Sequence, residues 1–365
     1  MPATIKDIAA RLGISHTTVS RALRDFPYVN EELRRRIRET ARELNYHPNA
    51  LARGLKGRRT QVVGLLVPDL TQSYARAAKV MQGTLAAEGY RMLLCVSTED
   101  PQSERAYLRS MLEERVDGLI WIPRTRQPQA VREYAEHGVP IVQFVRTASQ
   151  TLDAVVADEA GAAQAATQHL LALGHVRIGL IVGQADVSTV RERLEGYRRA
   201  LETAGGMADG SLARIGMFTQ DWGGQATREL LDLERPPTAL IVTSAELVIG
   251  ALLELDRRHA TLPTDVSLVG WGEADWFGIW RPPITSVVVA TDHMAALSVH
   301  TLLQRVNAPP GTPPHKAVVA RLGCHLAERA STAAPTPHPE QWAVAPASDP
   351  DPPILFHGTA VNSPS

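Results

Sequence analysis

The sequence predicts a small all-α head joined through a hinge to a larger α/β body that contains two parallel sheets. Two observations support this: three short segments of helical period precede residue 47, and apolar, β-branched runs alternate with helical segments after residue 60. Such alternation is typical of parallel sheets covered by helices on both faces. We divide the chain into a head (1–47), a hinge (48–60), a body (61–330) and a flexible, Pro-rich tail (331–365).

The charge is distributed unevenly between the head and the rest of the chain. The net charge of the whole chain is only −1, but residues 1–60 contain 13 Lys/Arg against 6 Asp/Glu, whereas residues 61–365 contain 25 against 33. A basic head on an acidic body suggests that the head contacts a polyanion. A solvated helical surface would have the same composition, so charge alone leaves both interpretations open.

The composition indicates a globular protein of the cytoplasm, with 44% hydrophobic and 21% charged residues. We find no signal-peptide core and no apolar run of membrane-spanning length, so no membrane contact is expected. Cys95 and Cys324 lie in separate apolar stretches, which favours reduced core thiols over a disulfide or a metal site.

The head shows the start and stop signals of three helices. Thr4 with Asp7 resembles a capping box, Gly13 can end the first helix, and Ser15 and Asn30 can cap the second and third. Two helices that are joined by a short turn and braced by a third form a helix-turn-helix.

The second helix leaves a polar set off its apolar face, consisting of His16, Thr17, Ser20 and Arg21. In a recognition helix such groups reach base edges: the guanidinium of Arg21 could bond two acceptors on guanine, and Thr17 could touch a thymine methyl. The alternative is an ordinary solvated helix surface.

The run TIKDIAARLGISHTTVSRALRDFPYVNEELRRRIRETARELNYHPNALARGL resembles the head of the lac-repressor family almost position for position. The resemblance implies sequence-specific binding of double-stranded DNA. It implies base reading in the major groove by His16, Thr17 and Arg21. It implies phosphate contacts by Thr4, Ser15 and Thr18.

The hinge is a segment of about two turns that would be marginal as an isolated helix. Pro48 ends the preceding helix and Asn49 could begin a new one. The segment could be a plain interdomain linker. The resemblance implies instead a hinge helix in the minor groove, in which Leu55 wedges between base pairs and Asn49 and Ala52 also contact DNA.

Nine candidate strands follow in the body. A single compact open sheet of this kind does not hold so many strands. They are Val62–Val67, Met92–Val96, Gly118–Ile122, Ile141–Val145, Ala154–Ala157, Ile178–Val182, Ala239–Val242, Ser267–Trp271 and Ser286–Val289. We therefore expect two sheets with a cleft between them, and a small ligand bound at the carboxyl ends of the strands.

The resemblance continues through the body, on the runs GLLVPDL, YLRSMLEERVDGLIWIP, HLLALGHVRIGLI, RERLEGYRRAL, DVSLVGW and RPPITSV. It implies the two-lobed fold of a periplasmic sugar-binding protein. Lobe one would comprise 61–159 and 291–320, and lobe two 160–290 and 321–328.

The resemblance also implies which side chains contact the ligand. They are Ser73, Tyr74, Arg146, Asp158, Arg193 and Trp222, with Trp222 as a stacking aromatic. From the residues alone, Arg193 could equally be a surface charge of a helix, Trp222 could pack in the core, and Asp158 could cap the helix that follows it.

The sequence departs from the family pattern at two ligand positions. Ala245-Glu246 stands where the family usually has Asn-Asp, and Gly272-Glu273 stands where it has Asp-Asp or Asp-Asn. Either Glu246 and Glu273 replace the lost contacts with longer reach, or the effector is not a typical sugar.

No phosphate loop, dinucleotide fingerprint, nucleophile elbow or zinc-ligand cluster is found, so we expect no catalysis, cofactor or metal. The resemblance implies a homodimeric or tetrameric repressor on a pseudo-palindromic operator, controlled by a small-molecule effector such as a sugar. A ligand-dependent activator, a regulator that requires a corepressor, and a small-molecule-binding protein without specific DNA recognition are the alternatives.

Overall fold

The computed structural model describes residues 3–23, 28–46, 59–205, 210–272, 274–309 and 316–336. The predictions for Asn49, Ala52, Leu55 and Glu273, and for the tail beyond residue 336, therefore lie outside the described residues.

The head consists of three helices, α1 (Ile5–Leu12), α2 (His16–Ala22) and α3 (Glu31–Glu43). They enclose a small core in which Ile8, Val19 and Ile37 are fully buried, one from each helix. Gly13 ends α1 with a φ of +66°, a left-handed conformation that L side chains adopt only with strain. The tight turn that follows places α2 against α1, as predicted for a helix-turn-helix.

Lobe one is a six-stranded parallel sheet in the order β11-β5-β4-β3-β1-β2. Its strands are β1 (Val62–Val67), β2 (Arg91–Val96), β3 (Gly118–Trp121), β4 (Ile141–Phe144), β5 (Asp153–Ala157) and β11 (Val319–Leu322). Its helices are α4 (Gln72–Ala87), α5 (Pro101–Glu113), α6 (Pro128–Glu136) and α11 (Thr291–Val306). Apolar clusters lie on both faces of the sheet, which explains why the strands are continuously hydrophobic.

Lobe two repeats this architecture in the strand order β12-β10-β9-β8-β6-β7, with only β12 antiparallel to its neighbour. Its strands are β6 (Ile178–Val182), β7 (Ala213–Ile215), β8 (Ala239–Val242), β9 (Ser267–Trp271), β10 (Thr285–Val288) and β12 (His325–Ala327). Its helices are α7 (Glu159–Ala172), α8 (Ser188–Thr203), α9 (Gln220–Leu231) and α10 (Ala245–Arg257), with short 3-10 turns at Gly210–Leu212 and Asp275–Phe277.

The described chain passes between the lobes at three places: after β5, after β10 and between β11 and β12. Each of the nine predicted strands corresponds to an observed one, with ends that differ by at most one residue. The last lobe boundary differs from the prediction, because Arg321 and Leu322 pair with β5 and belong to lobe one. No helix among the described residues has the length and apolarity needed to cross a bilayer.

The body extends further than predicted at its C-terminal end. Ser331, where we expected the flexible tail to begin, is fully buried: its hydroxyl donates to the Leu268 carbonyl (2.6 Å) and accepts from the Thr285 amide (2.8 Å). Thr336 still donates to the Thr264 carbonyl (3.0 Å). The predicted start of the tail at 331 is therefore wrong, because residues 331–336 supply hydrogen bonds that the edge of lobe two needs.

Candidate functional site

The helix α2 presents the polar surface that the sequence predicts for base reading. His16, Thr17 and Arg21 are exposed, while Val19 on the opposite face is fully buried. Thr17 and Arg21 are four residues apart and therefore lie on one face of the helix. The structure places these side chains together on one accessible face. Their contact with base edges remains a prediction.

The predicted phosphate contacts at the helix ends already take part in capping. The Ser15 hydroxyl accepts from the Thr18 amide (3.1 Å) and lies 2.7 Å from the Thr17 hydroxyl. The Thr4 hydroxyl donates to the Asp7 carboxylate (2.7 Å). A phosphate at Thr4 would therefore compete with Asp7 for the same proton.

A cleft of about 140 Å³ lies between the two lobes. A cavity needs about 10–15 Å³ to hold one water molecule, so this cleft has the size of a small-molecule site rather than of a peptide groove. Loops at the carboxyl ends of strands from both lobes form its walls, as expected for this architecture. Its charged lining residues are Asp69, Glu99, Arg146, Glu159, Arg193 and Glu246.

Arg193 forms the wall of the cleft on the side of lobe two. It lies in the second turn of α8, is 6% exposed, and donates to the Glu159 carboxylate (2.7 Å) and to the Thr243 carbonyl (2.7 Å). Its guanidinium carbon stands 4.4 Å from the centre of the Trp271 ring, within the range of a cation–π contact. These contacts fix the guanidinium in one orientation.

Arg146 has the equivalent place in lobe one, where it is 3% exposed just after β4. It donates two hydrogen bonds to the Glu99 carboxylate, at 2.9 and 3.2 Å. Its guanidinium also lies 5.3 Å from the centre of the Phe218 ring, which belongs to lobe two. Arg146 therefore connects a half-buried carboxylate of one lobe with an aromatic face of the other.

Ser73, Tyr74 and Glu246 also line the cleft, which is where the sequence predicted them. Burial raises the pKa of Tyr74, so its phenol stays neutral and can donate a hydrogen bond. Gly272 has a φ of +80°, so an Asp in its place, as in the family pattern, would be strained.

Two predicted ligand residues do not line the cleft. Trp222 packs against Gly216 and the core of lobe two, and its Nε1 donates to the Val182 carbonyl (3.2 Å). Asp158 caps α7 by accepting from the Gly161 amide (3.1 Å). The ligand roles predicted for Trp222 and Asp158 are therefore corrected to core packing and helix capping, the two alternatives that the residues had left open.

The structure adds lining residues that the sequence reasoning missed: Glu99, Glu159 and Phe218. Glu159 directly follows the cap, Asp158, and Phe218 precedes Trp222 by four residues. Trp271, which from the sequence could extend an aromatic wall of the ligand region or pack between subunits or in the core, also lines the cleft. For the others no local pattern distinguishes a lining residue from its neighbours.

A helix-turn-helix head attached to a two-lobed α/β domain with an interlobe cleft defines the class of ligand-responsive, DNA-binding transcription regulators. Residues 4–49 match the family described as bacterial regulatory proteins, lacI family. Residues 60–308 match the periplasmic binding proteins and sugar binding domain of LacI family. The chain belongs to the LacI family, which confirms the resemblance and the predicted fold class.

Relatives of similar length support the same conclusion. The chain is 30% identical to the HTH-type transcriptional regulator DegA of Bacillus subtilis, over 81% of this chain and 89% of that protein. It is 30% identical to the HTH-type transcriptional repressor CytR of Escherichia coli, over 91% of this chain and 97% of that protein. A solved structure of the transcriptional regulator CelR in complex with cellobiose superposes with a TM-score of 0.68 at 30% identity, covering 90% of this chain and 99% of that one.

Proposed function

We propose that this chain is a repressor that binds a pseudo-palindromic operator and changes its operator affinity when a small-molecule effector closes the cleft. The observation that carries the proposal is that one cleft is lined by rigidly held side chains of both lobes, Arg146 from lobe one and Arg193 from lobe two. A ligand that contacts both can stabilise one lobe arrangement over another, which is the only way in which binding shifts such an equilibrium.

The head would read DNA as a homodimer, or as a tetramer built from dimers, with each head on one half-site. The side chains that we assign to DNA are Thr4, Ser15, His16, Thr17, Thr18, Ser20 and Arg21 of the head and Asn49, Ala52 and Leu55 of the hinge. Those that we assign to the effector are Ser73, Tyr74, Arg146, Arg193, Glu246 and Glu273.

A change in the arrangement of the lobes would be passed to the hinge through the first residues of the body. The Asp117 carboxylate, just before β3, accepts from the backbone amides of Thr60 (2.9 Å) and Gln61 (2.7 Å). The chain that comes from the head is therefore fastened to the amino-terminal edge of the sheet whose carboxyl edge lines the cleft. A rotation of lobe one would then move the point from which the hinge starts.

The decisive experiment is to sequence genomic DNA fragments captured by the purified full-length protein, followed by footprinting. A single palindromic footprint that a metabolite weakens or strengthens would support a repressor or a corepressor-dependent regulator, and transcription in vitro would give the sign. Uniform coverage of DNA with and without every metabolite tried would reject the proposal.

We also propose that the protein acts in the cytoplasm, where its DNA target lies, and that it turns over no substrate. Its named relatives are transcription regulators. Incubation with metabolite mixtures, followed by mass spectrometry, tests the second point: a bound compound should be recovered unchanged, and product formation would contradict it.

A further inference from the structure

Both arginines of the cleft are paired with carboxylates of the same lobe. Glu159, which is 2% exposed, holds Arg193, and the half-buried Glu99 holds Arg146 through both of its oxygens. An anionic ligand would have to displace these carboxylates or lie beside them, and like charges at such short range repel strongly where little water screens them. The arginines are therefore not free anion receptors.

The charge of the described lining is negative. Two guanidinium groups of the lining, those of Arg146 and Arg193, face four carboxylates: Glu99 and Glu159 in the ion pairs, and Asp69 and Glu246 outside them. A further guanidinium, that of Arg124, also contacts Glu99 (3.3 Å) but is balanced by Asp186 (2.6 Å). Asp69 is exposed, and Glu246 accepts from the amide of Gln220 (3.1 Å). A phosphate or carboxylate that entered this cleft would meet a net charge of its own sign.

Trp271 supplies a hydrogen-bond donor with no partner in the described protein. Its ring is 4% exposed and lines the cleft, and its Nε1 is buried without an acceptor. An unpaired buried N–H is costly, and such groups in native proteins often await a ligand or a water molecule. An uncharged acceptor, such as a hydroxyl or carbonyl oxygen, would satisfy this indole without bringing a charge.

We propose that the cleft is selective for an uncharged effector that accepts a hydrogen bond from Trp271, and that it excludes phosphorylated and carboxylated metabolites. This inference rests on the proposed function, because it takes the cleft as the effector site. The specificity resides in the pairs Arg193–Glu159 and Arg146–Glu99 and in the indole N–H. An unbound guanidinium N–H, such as that on Nη2 of Arg193, can still donate to a neutral hydroxyl.

The first test uses inorganic phosphate as an anion probe and needs no knowledge of the effector. Glu159→Gln keeps an oxygen for the Nε of Arg193 but removes the compensating charge. Calorimetry at constant ionic strength should detect no saturable phosphate binding to the wild type, and at least about tenfold tighter binding to Glu159→Gln. Glu229→Gln is the matched control, since Glu229 pairs with Arg214 (2.9 Å) in the same lobe but outside the cleft.

Wild-type protein that binds phosphate, and loses this binding in Arg193→Met, would overturn the proposal. Equal phosphate binding by the wild type and a folded Glu159→Gln protein would also contradict it. If Glu159→Gln fails to fold, as near-UV circular dichroism would reveal, Glu99→Gln makes the same change beside Arg146. None of these readouts involves DNA, so failure here is distinct from failure of operator binding.

The second test compares neutral and anionic members of matched pairs in a thermal-shift screen: D-ribose with D-ribose 5-phosphate, D-glucose with D-glucose 6-phosphate and D-gluconate, and adenosine with its monophosphate. Only neutral members should raise the melting temperature. Stabilisation by an anionic member beyond that given by its neutral counterpart would overturn the proposal.

Trp271→Phe isolates the indole donor, because phenylalanine keeps an aromatic face below Arg193 and removes the N–H. The affinity for a neutral compound that binds should fall by roughly threefold to tenfold, the usual worth of one hydrogen bond. Trp222→Phe is the control: it loses an indole hydrogen bond to Val182 outside the cleft and should leave this affinity unchanged. Equal effects of the two substitutions would contradict a role for Trp271.

Discussion

Arg124 of lobe one donates a hydrogen bond to Asp186 of lobe two, with 2.6 Å between Nη1 and Oδ2. Arg124 is only 12% exposed and also lies 3.3 Å from Glu99, the carboxylate that holds Arg146 in the cleft. Glu99 therefore contacts two arginines: Arg124, which joins the lobes, and Arg146, which lines the cleft.

Asp186→Asn should favour the open arrangement of the lobes. Asp186 is 59% exposed, and such ion pairs are worth about 0.2–1 kcal/mol, so we expect the effector affinity to weaken by roughly 1.5- to 5-fold. Small-angle scattering and effector titration measure the two effects. Asp232→Asn is the control, since Asp232 pairs with Arg258 (2.7 Å) within lobe two. An equal response of both variants would rule out a role in closure.

Arg21→Ala should cost about 1–3 kcal/mol of operator affinity and relax the preference at one base pair, because a guanidinium that reads guanine discriminates by about this amount. Competition gel shifts with single-base operator variants measure it. The control is Arg36→Ala, which removes the same charge from the exposed face of α3. Losses that are equal on every DNA sequence for Arg21→Ala would show a phosphate contact instead of base reading.

Glu254 should make the stability of lobe two depend on pH. Burial alone would raise the pKa of Glu254, but hydrogen bonds from Arg257, Arg258 and Arg228 outweigh it and lower the pKa to about 2. Because this pKa is depressed in the folded protein, the stabilisation is present above about pH 4.5 and is lost as the pH falls towards 2.

The variant Glu254→Gln should therefore lower the free energy of unfolding by about 1–3 kcal/mol near pH 7. Its difference from the wild type should shrink between pH 5 and pH 3, as urea titrations at fixed pH would show. Glu234→Gln removes an exposed carboxylate of the same lobe and serves as control. A difference between Glu254→Gln and wild type that is constant over this range would contradict the assignment.

Ser331→Ala should destabilise the body although it lies where the sequence suggested a flexible tail. The substitution leaves the buried Thr285 amide without its acceptor, which costs about 1–3 kcal/mol. Thermal unfolding measures the loss, and Ser110→Ala, which removes an exposed hydroxyl of lobe one, is the control. No loss of stability in Ser331→Ala would mean that residues 331–336 do not anchor the edge of lobe two.

The secondary structure and the two-part organisation could be predicted because they depend on local patterns. Caps such as Ser15, the turn at Gly13 and continuous apolar strands such as Val62–Val67 act through neighbours a few residues away. The same holds for the polar face of α2, whose spacing alone places Thr17 and Arg21 together. Three observed strands, β7, β11 and β12, are not among the nine candidates, because they are short, partly exposed and lack a continuous apolar run.

The amino-acid sequence by itself determined the helix-turn-helix head, the two parallel sheets and the family, since each follows from periodicity and contiguous motifs. Only the tertiary structure decided which side chains face the cleft: Glu159 and not Asp158, Phe218 and not Trp222. The physical reason is that a lining residue is selected by partners far away in sequence. Arg193 reaches Glu159 across 34 positions, and Arg124 reaches Asp186 across 62, and only the packing of the lobes brings them together.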